Sequence, residues 1–513
     1  MGETIKTRWL LLALGLLFLA VALSAPVNHD ESQYVAAIAL MREGLPYRDW
    51  AYLQTPLQPL LLSPLSLLPA GWLLVGARLA NVAFALVASW ALLRLLKGRT
   101  PFWAAAVAVG GMATTNAFLF GTEVARNDML PVALLSLALL VFMPRQGLDW
   151  RRAALGGLCL GLAISAKISL ALPAAAIGLW LLWRSREIGW QVIAAAALGG
   201  IAGLLPCLIL YALAPEPFVF GVFTYSLEAP QQFWTLVGMP QVLTPLVKLR
   251  ELGIETVEGA TLAALLVWLL TLRQGGPERR LLDAAILGGL LAAYLPDPFF
   301  RQYLIPLLPP LFARAALSLP ALTHRWRQVA IGAGAITAGV GASGSVGNVV
   351  LAAQHPLELM ETVQRARIVA AMTKGRMVAT LSPEQVAGND VRLDPRFAAG
   401  PFLFRTTGNL GQATRRITGA AIWEEAEART LALPPFVVTG GEGKPRPPAF
   451  PYGVEAPLSR QVISRYYKSI RLPGEGWFLW IARTEKGWAE APPLNCPPEN
   501  RQPICLKLTY QRE

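Results

Sequence analysis

Asn28-His29-Asp30-Glu31-Ser32-Gln33-Tyr34 follows directly on an apolar run, residues 9–25. A second polar cluster, Glu123-Val124-Ala125-Arg126-Asn127-Asp128, ends another hydrophobic segment further along. Carboxylates near a bilayer core are costly, about 2.5–3.5 kcal/mol each at a helix centre on insertion scales. Two acidic clusters on one face of a membrane therefore predict a polar cavity between helices.

Composition agrees with a membrane setting. Of 513 residues, 54% are hydrophobic and only 15% charged, against about 25% charged in soluble chains. The net charge of +13 does not indicate a nucleic-acid partner. Its basic residues fall in short clusters between apolar runs, as the positive-inside rule requires. The first run follows Lys6 and Arg8 and ends Ala22-Leu23-Ser24-Ala25, like a signal peptide. It exceeds the core of about 7–15 residues of a cleaved signal and reads as an uncleaved anchor.

Apolar runs at 9–25, 72–93, 102–117, 129–143, 153–166, 168–183, 190–213, 259–272, 281–295, 302–319 and 329–352 give about eleven transmembrane helices. The basic loops at 94–99, 145–152, 184–186, 273–280 and 324–327 read as cytoplasmic, and 26–70, 118–128, 214–258 and 296–301 as outer. The expected fold is a polytopic α-helical membrane domain, 1–354, with outer loop 26–70. An extracytoplasmic α/β or α+β soluble domain, 355–513, follows it. In this tail, 377–380, 435–439 and 477–482 look like strands, and 422–431 like a helix. In the first loop, Tyr34, Ala37, Ile38 and Met41 form one helical stripe and Gly44 a stop, predicting a short amphipathic helix at the interface. The 31 residues 153–183 would make one helix of about 46 Å, too long for a core of about 30 Å. A hairpin with Lys167 at its tip is the better reading.

Each candidate residue has two readings. Asp30 is either a helix cap with Gln33 reaching back, or a general base for an acceptor hydroxyl or amine. Glu31 is a solvated helix-start charge, a hydrogen-bonding neighbour or a metal ligand. Asp128, ahead of Pro131, is again a cap or an acid of the cavity. Arg126 pairs with Glu123, or neutralises a phosphate or orients a carboxylate. Lys167 either snorkels or attracts a phosphate in a low-dielectric pocket. Arg301 and Tyr303 are interfacial anchors or further phosphate contacts. Tyr47-Arg48-Asp49 and residues 52–56 line the cavity or form a plain interface loop. His29 beside Asp30 could ligate a divalent ion, but three histidines in all argue against a His-rich metal site. No nucleotide-binding glycine motif is present. Cys159 and Cys207 read as packing residues. Cys496 and Cys505, if on the outer face, are candidates for a disulfide.

Taken together, Asp30-Glu31-x-x-Tyr34, Gly44-Leu45-Pro46-Tyr47-Arg48-Asp49, Thr55-Pro56-Leu57, Glu123-x-x-Arg126-x-Asp128, the isolated Lys167 and Arg301-x-Tyr303-Leu304-Ile305-Pro306-x-x-Pro309 resemble the C-type-fold membrane glycosyltransferases. The similarity is to the branch of protein O-mannosyltransferases and the lipid A aminoarabinose transferase (family 39-like) and covers roughly 9–352. The resemblance implies a polyprenyl-phosphate sugar donor and transfer at the extracytoplasmic face. It makes Asp30 the base, Asp128 the second acid, Lys167 the donor-phosphate contact, and Arg301 and Tyr303 the later-span contacts. Aminoarabinose members carry an acidic-basic pair before the first-loop proline where this chain has Gln54-Thr55, so neither a metal nor a phosphate contact is carried over to this spot, and a divalent metal ion stays an open candidate cofactor.

The expected function is transfer of a lipid-linked sugar to lipid A, another glycolipid, a polysaccharide or a protein, in a bacterial inner membrane. The competing reading is a transporter or flippase of lipid-linked sugars. Such proteins often show matching inverted halves, and this chain shows none.

Overall fold

A computed structural model describes residues 2–144, 147–354 and 357–482. Cys496 and Cys505, the expected disulfide pair, lie outside the described residues.

The apolar runs are helical. Among the described residues, five helices are long and apolar enough to cross a membrane alone: Glu3–Ser24, Trp72–Leu96, Trp190–Leu213, Arg301–Ala321 and His324–Ala352. Two bent pairs, Phe102–Ala113 with Asn116–Glu123 (64°) and Pro245–Val257 with Thr261–Leu270 (97°), raise this to seven. The chain is thus a multi-pass helical membrane protein, but eleven spans do not follow from length alone. Met129–Phe142 and Ile168–Trp183 are shorter than the roughly 17–25 residues a full crossing needs. Packed among other helices, a short helix need not reach both surfaces.

The 153–183 run does break at Lys167. Its backbone is extended (φ −154°, ψ 122°) between the helices Trp150–Ala166 and Ala171–Trp183. At the far end, Trp183 lies under Arg280 at 5.6 Å, and Arg99 binds both Glu278 and the Met143 carbonyl. The end of Ala171–Trp183 thus shares a level with the segment leading into Trp150–Ala166, and Lys167 is the opposite tip. Small residues fix this arm against Trp190–Leu213. A Cβ on Gly157 would lie 1.9 Å from the Ala196 carbonyl oxygen, and one on Gly161 2.1 Å from that of Gly200. Such close backbone approach is how helices associate where lipid removes the hydrophobic drive.

In the C-terminal part, a five-stranded sheet runs in the order β2-β1-β3-β5-β4. The strands are β1 Met377–Thr380, β2 Arg392–Leu393, β3 Phe436–Thr439, β4 Tyr466–Arg471 and β5 Phe478–Ala482. β1 is parallel to β2 and β3, and β5 antiparallel to β3 and β4. The β-branched, apolar runs read from the sequence account for β1, β3 and β5. Within 422–431, the helix is confined to Trp423–Glu427.

The first-loop helix, Glu31–Leu40, departs from expectation. It is buried on nearly every side, not laid on an interface with a wet face. Val35, Ala36 and Ile38 share one apolar cluster with Val378, Val386 and Leu393 of the C-terminal part. The tail covers the face that a single-stripe reading leaves to water.

Candidate active site

The site is built around residues 124–128, a short link, extended at Val124 and turning at 127–128, between the helices Asn116–Glu123 and Met129–Phe142. Its backbone is pinned from three sides. Asn81 Nδ2 donates to the carbonyls of Val124 (2.6 Å) and Arg126 (3.0 Å), and Gln58 Nε2 also donates to the Arg126 carbonyl (2.9 Å). The Ala125 amide donates to Glu31 Oε1 at 2.7 Å. From the same link, Asn127 Nδ2 donates to the Ala166 carbonyl at 2.9 Å, which sets Lys167 beside it.

On this frame four charges meet. Arg126 Nη1 contacts Asp30 Oδ2, and its Nε donates to Asp128 Oδ2 at 2.9 Å. Lys167 Nζ donates to Asp128 Oδ1. Formal charge cancels across the group, as two carboxylates and two cations taken from water require. Side-chain exposure is graded, from Asp128 at 1% through Arg126 and Lys167 at 8% and 9% to Asp30 at 21%. Aromatic rings wall the cations. Tyr34 and Phe120 lie 5.8 and 5.6 Å from the Arg126 guanidinium, and Tyr303 5.6 Å from Lys167. Asp30, Tyr34, Arg126, Asp128, Lys167 and Tyr303 are therefore brought together.

Both acids stand at helix N-cap positions, yet neither carboxylate bonds a helix amide. Capping alone does not account for them. Arg126 does not pair with Glu123, which instead accepts from Ser345 Oγ at 2.8 Å. Arg301 stands apart from the four charges. Its guanidinium stacks 3.9 Å from the Phe120 ring, whose other partner is Arg126, and donates to Asn116 Oδ1 at 2.9 Å. Asn116 in turn donates to Glu258 at 2.8 Å.

Glu31 faces elsewhere. It is fully enclosed and bound by Arg78 through two hydrogen bonds of 2.8 and 2.7 Å. The Arg78 guanidinium also donates to the carbonyls of Ala22, Ala25 and Pro26 (3.0, 2.8 and 2.9 Å). It thereby closes the exposed end of the first helix. This pair ties helix one, the first loop and residue 125 together, and gives Glu31 no open coordination site. A solvated charge at the helix start is not what the geometry shows.

Sequence reading passed over Arg78, Asn81, Gln58 and Phe120. Arg78 carried a usable signal, a lone cation inside the apolar run 72–93. Asn81 one turn further on carried a weaker one.

Among the described residues, no group of three or more His, Cys, Asp and Glu is arranged to hold a metal ion. His29 Nε2 lies 3.2 Å from Asp30 Oδ1, and its ring stacks on Phe402 at 5.8 Å.

Residues 52–296 match the model of glycosyltransferase family 87. No curated protein matches the chain. Among solved structures, ArnT from Cupriavidus metallidurans bound to undecaprenyl phosphate superposes with a TM-score of 0.57 at 12% identity, over 93% of this chain and 98% of that one. The apo state of the same protein gives 0.54 at 12% identity, over 93% and 97%. The apo oligosaccharyltransferase of Archaeoglobus fulgidus gives 0.45 at 11% identity, over 90% and 73%. The chain is a multi-pass helical membrane protein whose fold is like that of ArnT, and its residues 52–296 are similar to glycosyltransferase family 87.

Proposed function

We propose that the protein transfers a sugar from a polyprenyl-phosphate donor to an acceptor hydroxyl or amine at the extracytoplasmic face of a bacterial inner membrane. The observation that carries this reading is the convergence of Asp30, Arg126, Asp128 and Lys167 at one partly open site. Support comes from the family 87 match and from the undecaprenyl phosphate held by the ArnT structure of like fold.

In the proposed reaction, an acceptor oxygen attacks the anomeric carbon as the bond from that carbon to the phosphate oxygen breaks. The polyprenyl phosphate leaves with the electron pair, and Asp30 takes the acceptor proton. A single displacement inverts the anomeric centre. Lys167 and Arg126 stabilise the leaving phosphate, and Asp128 holds both cations in position. A phosphate bound at Arg126 competes with Asp30 for the guanidinium, so donor arrival releases the base from its ion pair. Tyr34 and Tyr303 offer rings for the sugar or for the lipid next to the phosphate. Gln33 Oε1 and Asn127 Oδ1, buried acceptors with no partner among the described residues, are available to sugar hydroxyls. Arg301 supplies further positive potential behind Phe120. Its contact with Asn116 makes direct phosphate binding a secondary role.

The test is transfer by purified protein from undecaprenyl-phosphate sugars, read as release of undecaprenyl phosphate. Asp30→Asn is expected to lower turnover about 10²–10⁴-fold while donor still binds. Near-wild-type turnover in that variant would remove the base assignment.

A further inference from the structure

Asp30 has two faces. Oδ2 meets Arg126, while Oδ1 meets His29, and beyond His29 lies a second, separate group of cations. His29 stacks on Phe402, and the Arg405 guanidinium lies 4.9 Å from that ring. Arg405 is also 4.1 Å from Phe233, and Arg446 is 5.8 Å from the same Phe233 ring. Both arginines are half-buried.

We infer that Arg405 and Arg446 form an anion-binding subsite that holds a phosphate or carboxylate of the acceptor while its nucleophile reaches Asp30. Two guanidiniums packed near the same Phe233 ring bring two sets of N–H donors to one patch, and the guanidinium fork is suited to bidentate oxyanion recognition. Among the described residues, neither is within ion-pair distance of a carboxylate, whereas Arg78, Arg126, Arg396 and Arg415 all are. The acid that senses them, Glu442, is buried and pushed up to about 7 by that burial, against the opposing pull of Arg405 and Arg446. Near neutral pH it is partly protonated, so the pair keeps net positive charge.

The acceptor, not the donor, is assigned here because inversion demands opposite approach. The leaving phosphate belongs on the Lys167 and Arg126 side of Asp30. The nucleophile must then come from the other side, which the Phe402 and Arg405 group borders. This inference rests on the transfer reading above.

The experiment is calorimetric titration of the full chain in detergent with glycerol 3-phosphate, glucuronate and undecaprenyl phosphate. Glycerol 3-phosphate or glucuronate is expected to bind, and the stronger of the two names the anion. Arg405→Gln with Arg446→Gln should weaken that binding about tenfold or more and leave undecaprenyl phosphate binding in place. Lys167→Gln should do the reverse. The subsite is overturned if neither soluble anion binds, if the double variant binds it as wild type does, or if the double variant loses undecaprenyl phosphate equally. Should the double variant fail to fold, Arg446→Gln alone, in the turn bridged by Arg446 and Phe450, gives the same readings. If wild type binds the soluble anion through these arginines but not undecaprenyl phosphate, the transfer reading fails and the subsite stands.

Discussion

Asp30 and Glu31 are adjacent in the chain and have opposite surroundings. Glu31 and its partner Arg78 are both completely enclosed. Asp30 keeps a fifth of its side chain exposed and shares its arginine with Asp128. One residue of helical rotation separates a pair that fastens three elements together from a carboxylate that a ligand can reach. A buried, fully bonded ion pair maintains geometry; a partly open one can exchange partners.

The largest expected effect comes from breaking the enclosed pair. Arg78→Ala leaves Glu31 buried without its counter-charge and exposes the last carbonyls of the first helix. A loss of about 3–5 kcal/mol is expected, read as a large drop in thermal stability or as failure to accumulate in the membrane. If Arg78→Ala unfolds normally and loses only turnover, the contrast between the two pairs collapses. Asp30→Asn tests the other member and should leave unfolding temperature nearly unchanged while turnover falls as stated above.

A smaller effect is expected at Lys167. Lys167→Ala keeps Asp128 paired to Arg126 but removes one cation from the phosphate side. Donor affinity should fall about tenfold or more, measured by undecaprenyl phosphate titration, with the fold retained. Unchanged affinity would place the donor phosphate elsewhere.

An effect read only as a pH slope concerns a buried carboxylate that, unlike Glu31, has no cation within ion-pair distance among the described residues. Glu455 accepts the Gly440 amide at 2.7 Å, and burial raises it from 4.5 to about 8. Unfolded, it loses its proton near 4.5; folded, it keeps it to about 8. The unfolded state therefore binds fewer protons between those values, and stability declines as pH rises through that window. Glu455→Gln should flatten this slope in thermal unfolding followed from pH 4.5 to 8. A slope unchanged by the substitution would show that Glu455 does not titrate as its burial requires.

Much of this was legible in the chain. Apolar runs locate helices because lipid forbids unsatisfied backbone. The runs 377–380, 435–439 and 477–482 announced strands. The charged residues of the site stood out because few charges survive in so apolar a sequence. The stripe of Tyr34, Ala37, Ile38 and Met41 misled, since periodicity records one buried face and cannot register a second element arriving from more than 300 residues away, as Val378 and Leu393 do. Glu31 was grouped with Asp30 because nothing local distinguishes two acids at one helix start.

Composition and hydropathy alone determined that this is a helical membrane protein with charges confined to a few places, because transfer free energies act residue by residue. Which charge pairs with which, and which carboxylate stays open, was decided by tertiary structure. Arg78, Arg126 and Lys167 come from separate helices and links, and their distances to Glu31, Asp30 and Asp128 exist only once those segments pack.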